Sequence, residues 1–149
     1  MTVALIIFGV LIIAADMLTK YLTVSNIAIG AQVPLIDGVV HFTHLQNTGA
    51  AFSMLTGKTL FFILLTVAFL VIAFVAVKKK WLTTVPEKWA LTAICAGAVG
   101  NLIDRIIHGY VIDMIEVEFI DFAVFNVADC FITCGAIALA IFVLTEKKK

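Results

Sequence analysis

Residues 60–80 read LFFILLTVAFLVIAFVAVKKK. From Leu60 to Val77 only Thr66 interrupts the apolar run, which then stops at Lys78-Lys79-Lys80. The run shows no alternation that would turn one face to water, and its length is close to the ~20 residues a helix needs to cross a bilayer. Hydrophobic residues make up 63% of the 149-residue chain, and its mean hydropathy is +1.16. Soluble domains usually hold about 45–50% apolar residues, so the sequence is that of a membrane protein. A formal net charge of zero gives no electrostatic case for a nucleic-acid partner.

Working outward, three more segments have span character. Val3 to Leu18 is almost unbroken Val, Leu, Ile, Ala and Phe, and reaches spanning length if extended to Leu22. It ends in DMLTK, with no basic leader and no A-x-A-like exit, so it is expected to be a retained span and not a cleaved signal. Trp89 to Ile107 is rich in small residues, the composition that lets helices approach closely, and Pro86 marks its start. Phe125 to Leu144 is the fourth. Between the first two spans, Ser25 to Gly57 carries turn residues at Gly30, Pro34, Asp37 and Gly38, and Val40 and Phe42 fit a short strand leading to an Asn47-Thr48-Gly49 turn. His108-Gly109 breaks the third span, and Val111 to Ile120 alternates, with Asp113 on the face opposite Glu116 and Glu118. The expected fold is an all-α membrane protein of four transmembrane helices with a small extracytoplasmic β element, in one domain over residues 1–149.

Basic residues orient the chain. Lys78, Lys79, Lys80, Lys88, Lys147, Lys148 and Lys149 fall on one side, and Lys20, Lys58 and Arg105 on the other. The bias assigns the first group, and with it both termini, to the cytoplasm. Asp16, Asn47, Asn101, Asp104, Arg105, Asp113, Asn126 and Asp129 then gather at the outer leaflet, although they come from four separate parts of the chain. An ionisable side chain at mid-bilayer costs about 2.5–3.5 kcal/mol on insertion scales, so such a cluster belongs around a wet pocket.

Each polar group has a structural reading beside a chemical one. Asp16 and Lys20 are an i, i+4 pair in the favourable order. Asp104 and Arg105 are expected to pair with each other at the interface, since a carboxyl beside an arginine is held ionised and shuttles protons poorly. Asp113 and Asp129 have no cation nearby in sequence; if they converge they will share a proton, which supplies one acid and one base at one pH. From spacing alone, that reading stands beside a structural or ion-conducting one. A proton- or ion-coupled transporter would spread its polar groups through the bilayer depth, whereas here they keep to the outer ends. His41, His44 and His108, and the cysteines Cys95, Cys130 and Cys134, show no metal-ligand spacing and are expected to be packing residues. No cofactor or metal is expected.

Five motifs in order then carry a resemblance: D-x-x-T-K at Asp16 to Lys20, QNTGAAFS at Gln46 to Ser53, GNLIDR at Gly100 to Arg105, VIDMI at Val111 to Ile115 and FNVAD at Phe125 to Asp129. Over essentially its whole length the chain resembles signal peptidase II, the prolipoprotein signal peptidase of bacteria. The resemblance implies a cell-membrane aspartic peptidase that cleaves lipidated prolipoproteins just before the diacylglyceryl-modified cysteine and is inhibited by the cyclic peptide globomycin. It implies Asp113 and Asp129 as the catalytic pair, and Asn47, Asn101, Arg105 and Asn126 as substrate-contacting. Asp16, Lys20 and Asp104 match positions that support the site. Cys130 and Met114 depart from the family, which commonly has a small hydroxyl residue and an aromatic at those positions.

Overall fold

A computed structural model of the chain describes residues 2–49 and 54–145. Residues 50–53 of the QNTGAAFS motif, and the C-terminal lysines Lys147, Lys148 and Lys149 used for orientation, lie outside the described residues. Four helices are long and apolar enough to cross a membrane: α1 (Thr2–Asn26), α2 (Thr59–Lys78), α3 (Val85–His108) and α4 (Val127–Thr145). α3 is the one the others pack on, its most extensive contact being with α4. Its small residues explain this. Ala90, Ala93, Ala96, Gly97, Ala98 and Gly100 are all buried, whereas α1, α2 and α4 turn Ile, Leu, Val and Phe side chains outward, as a lipid-facing helix does.

The ends of α3 are written in the sequence. Thr84 accepts the Glu87 amide while Glu87 accepts the Thr84 amide, a reciprocal capping box. At the other end Gly109 takes a left-handed φ of 81°, and its N–H closes on Arg105. α3 therefore starts about one turn before the expected Trp89 and stops at the expected His108-Gly109 break. α2 also ends in a left-handed residue, but there it is Lys80, at φ 56°.

Three antiparallel strands, β1 (Gln32–Ile36), β2 (Val40–Asn47) and β3 (Val111–Val117), form a sheet in the order β1-β2-β3. β1 was not expected from the sequence, because Pro34 reads as a turn residue; as an exposed edge strand it tolerates a proline that cannot donate to a ladder. β3 is shorter than the expected Val111 to Ile120, since Glu118 to Asp121 form a turn. Between Phe42 and Leu45 the β2–β3 register shifts by a bulge, which brings Leu45 opposite Asp113 and Asn47 opposite Val111. After the turn the chain returns to pair Phe125 with Ile115, through Phe125 N to Ile115 O at 3.0 Å and Ile115 N to Phe125 O at 2.8 Å. Phe125 and Asn126 thus precede α4 and do not begin it.

The α3–α4 seam gives a test of close packing. A Cβ on Gly97 would lie 2.5 Å from the Ala128 carbonyl oxygen, whereas one on Gly9 in α1 would meet the Thr92 methyl at 3.5 Å and Ala96 Cβ at 3.9 Å, both ordinary contacts. Alanine gains about 1 kcal/mol over glycine in a helix, but overpacking against backbone costs about 1–3 kcal/mol. Gly97→Ala is expected to lower the melting temperature in detergent, and Gly9→Ala to leave it unchanged or raise it.

Candidate active site

The site is built on a buried lysine. Lys20, in the last turns of α1, is 2% exposed, and its ammonium lies 2.8 Å from Asp16 Oδ2, 2.8 Å from Asp104 Oδ2 and 3.0 Å from Asn101 Oδ1. Two carboxylates and one amide oxygen, from α1 and α3, surround the charge. Each carboxylate takes a further backbone donor: Ala128 N–H gives to Asp16 Oδ1 at 2.9 Å and Ile112 N–H to Asp104 Oδ2 at 3.1 Å. Those two amides belong to α4 and β3, so one charge cluster ties four elements together. Burying a charge costs several kcal/mol unless partners of this kind surround it.

Asn101 carries the network onward. Its Oδ1 accepts from Lys20 and from Asn126 Nδ2 at 3.1 Å, and its Nδ2 donates to Asp129 Oδ1 at 2.8 Å. Asn126, fully buried, gives its other Nδ2 hydrogen to Asp113 Oδ1 at 2.7 Å. The same side chain caps α4: its Oδ1 accepts the Asp129 N–H at 2.9 Å, while its own N–H donates to Asp129 Oδ2 at 3.2 Å. This is a reciprocal cap with aspartate in the third helical position. One asparagine therefore holds both carboxyls, one by its side chain and the other by the helix start.

The second Asp113 oxygen accepts Asn47 Nδ2 at 2.9 Å, and Asn47 Oδ1 accepts the Gly49 N–H at 2.9 Å. Arg105 Nη2 donates to the Gly49 carbonyl at 3.2 Å, and its guanidinium lies 5.0 Å from the centre of the Phe62 ring on α2. Asp113 and Asp129 line one cavity of about 600 Å³ together with Asn47, Asn101 and Arg105, and Phe62, Phe122, Val124, Phe125 and Ile132 are among its apolar lining residues. Burial pushes the Asp113 carboxyl up to about 6, with the nearby Asp129 charge adding to the rise; the amide donors from Asn47 and Asn126 and the Lys20 charge oppose it.

The structure brings together every site residue expected from the sequence, with two differences in contacts. Asp104 pairs with Lys20 of α1 and not with Arg105, its neighbour in sequence; the buried ammonium needs the second carboxylate, which leaves Arg105 to the Gly49 turn. Asn126, expected to contact substrate, lies behind the carboxyls and is absent from the cavity wall. Phe62 and the amides of Ile112 and Ala128 went unnoticed in the sequence: a phenylalanine in an apolar run and backbone groups leave no local signal. His44 Nδ1 meets the Ile27 carbonyl at 2.8 Å, His41 meets Glu118 at 3.1 Å and His108 stacks on Tyr110, while the three cysteines are free.

Four apolar helices with a carboxyl pair and a polar cavity at one end define a multi-pass membrane enzyme. Two solved structures described as bacterial membrane enzymes share the fold. One superposes with a TM-score of 0.90 at 31% identity, covering 98% of this chain and 93% of that one; the other gives 0.88 at 32%, covering 97% and 94%. The family model described as signal peptidase (SPase) II matches residues 8–145. The chain belongs to the signal peptidase II family and is a membrane protease. It is 40% identical over 138 residues to the lipoprotein signal peptidase of Enterococcus faecalis, covering 93% of this chain and 86% of that one. It is 43% identical to that of Streptococcus pyogenes serotype M5, covering 93% and 91%.

Removing the lysine should expose how much the cluster depends on it. Lys20→Met leaves two buried carboxylates facing each other and is expected to lose about 3–5 kcal/mol of stability, read as a fall in melting temperature in detergent. The Asp113 shift predicts a pH dependence of definite sign. Because the folded state binds this proton more tightly than the unfolded chain, its contribution favours folding in acid. That contribution declines as pH rises from the ordinary 3.8 to about 6, and is flat above. Melting temperatures measured across that window should fall for the wild type and less steeply for Asp113→Asn.

Proposed function

We propose that the chain is an aspartic endopeptidase that removes the signal peptide from diacylglyceryl-modified bacterial prolipoproteins, cutting before the lipidated cysteine. In this reading Asp113 and Asp129 are the catalytic pair, and residues 1–149 act as one integral membrane peptidase domain. The observation that carries it is the convergence of two carboxyls, distant in sequence, on one asparagine and one cavity. The relatives' description as lipoprotein signal peptidases supplies the substrate class.

The chemistry follows from one proton held between two carboxyls. The ionised member takes a proton from a water, whose oxygen attacks the scissile carbonyl; the protonated member donates to the carbonyl oxygen as the tetrahedral intermediate forms. Collapse of that intermediate breaks the C–N bond. As it breaks, the carboxyl that received the water's proton passes it to the leaving nitrogen, and the other carboxylate takes back a hydroxyl proton from the intermediate, which restores the starting pair. The scheme draws on these side chains alone, with no cofactor or metal. Asn47, Asn101 and Arg105, on the cavity wall, orient the substrate backbone, whose buried amides need partners. Asn126 is a positioning residue in place of the substrate contact expected from the sequence. Asp16, Lys20 and Asp104 hold the frame.

Both termini face the cytoplasm, and the carboxyls sit toward the outer leaflet of the cell membrane, following the distribution of basic residues. A substrate anchored by its lipid and an apolar signal helix reaches the cavity sideways, between walls supplied by Phe62 of α2 and Ile132 of α4. A cyclic-peptide inhibitor such as globomycin occupies the same cavity.

Asp113→Asn and Asp129→Asn are each expected to reduce cleavage of a lipidated precursor in membranes by at least about 100-fold, the low end of acid–base contributions. An unlipidated precursor should stay uncut by the wild type. Processing that persisted in both variants would remove the pair from the chemistry.

A further inference from the structure

A second cavity, of about 750 Å³, lies at the other end of the bundle, between the start of α1, the end of α2 and the first turns of α3. Leu5, Leu70, Phe74 and Leu91 give it apolar walls, and Lys80 and Lys88 stand in its lining. Lys88 precedes Asn101 on α3 by thirteen residues, about 20 Å at 1.5 Å per residue, so this cavity is separate from the one holding the carboxyls.

The lysines distinguish it from an ordinary gap between helices. Lys80 N–H bonds to the Val77 carbonyl at 3.1 Å and Trp81 N–H to that of Ala76 at 2.9 Å, the paired closure in which the left-handed residue is usually glycine. Here a lysine takes that conformation at φ 56°, although a side chain disfavours it. Residues held in such conformations cluster at ligand clamps and other functional sites. Its neighbours are engaged elsewhere, Lys78 over the Phe74 ring and Lys79 over the Trp81 ring. Glu87, the acidic residue beside Lys88 in sequence, is buried and accepts the amides of Thr83 and Thr84. Among the described residues the ion pairs are those of Lys20 and His41, so Lys80 and Lys88 line an apolar crevice with no carboxylate paired to them.

We propose that this crevice is a binding site for an anionic phospholipid, with an acyl chain lying between α1, α2 and α3 and the headgroup phosphate held by Lys80 and Lys88. Basic pockets between spanning helices recognise anionic headgroups through this combination of an apolar slot and paired cations. A zwitterionic lipid brings its own ammonium to the two lysines and binds less well. The site is independent of the peptidase chemistry, and its occupation stabilises the folded bundle by mass action.

The test uses the full chain in a non-ionic detergent, titrated with phosphatidylglycerol or with phosphatidylcholine of the same acyl chains. Melting temperature and lipid retention by native mass spectrometry are the readouts. Phosphatidylglycerol is expected to raise the melting temperature more than phosphatidylcholine and to be retained at one molecule per protein. The double variant Lys80→Gly/Lys88→Gln should weaken that retention by about 30-fold, from the loss of two lysine–headgroup attractions. Without lipid, Lys80→Gly should melt no lower than the wild type, since glycine relieves the left-handed residue, and this separates lost binding from lost folding. Equal gains from the two lipids, or a phosphatidylglycerol gain that survives in the double variant, would overturn the proposal.

Discussion

A single ammonium, sealed from solvent where the helices meet, is the constraint from which the site's geometry follows. Lys20 has three hydrogens and finds Asp16, Asn101 and Asp104 around it. Such a shell has no slack: an ion taken out of water keeps its charge only while each hydrogen has an acceptor and each facing carboxylate has its own donors. Ala128 and Ile112 supply those donors from the backbone, so the start of α4 and the first residues of β3 are held to the same centre as α1 and α3. The small-residue face of α3 makes the arrangement possible, because a side chain on Gly100 would meet Asp16 Oδ2 at 2.5 Å.

From that centre, orientation passes outward through amides. Asn101 links the lysine to Asp129, and Asn126 links Asn101 to Asp113. Neutral amides suit this work, since each has a donor end and an acceptor end and cannot change charge when a neighbouring proton moves. The carboxyls face a cavity lined both by polar groups and by rings and aliphatic chains, and the two kinds meet where the Arg105 guanidinium lies against the Phe62 ring.

Much of this could be read from the chain, and the rest has identifiable reasons for being hidden. Spans announce themselves because a bilayer demands an uninterrupted apolar run, and Leu60 to Val77 meets that demand with one threonine in its length. The ends of α3 were legible because Pro86 and Gly109 act locally. The pair Asp16–Lys20 was legible for the same reason, whereas the contact of Lys20 with Asp104 joins residues far apart in sequence and carries no periodic signature. β1 was concealed by Pro34, which reads as a turn unless the strand is known to lie on an edge. The role of Asn126 shows another limit: spacing puts it beside Asp129, but only coordinates reveal that its amide is consumed beneath the carboxyls.

The cap that starts α4 also sets what the gene can tolerate. Phe125 is clamped to Ile115, and the next four residues lock the helix phase to the Asp129 carboxyl. A helix advances 100° per residue, so one codon inserted between Asn126 and Asp129 would swing the carboxyl to a different face of the bundle. The turn before it, from Phe119 to Asp121, has no such phase to keep and is not among the cavity's lining residues. Drift in length should therefore accumulate there and stop abruptly at Phe122.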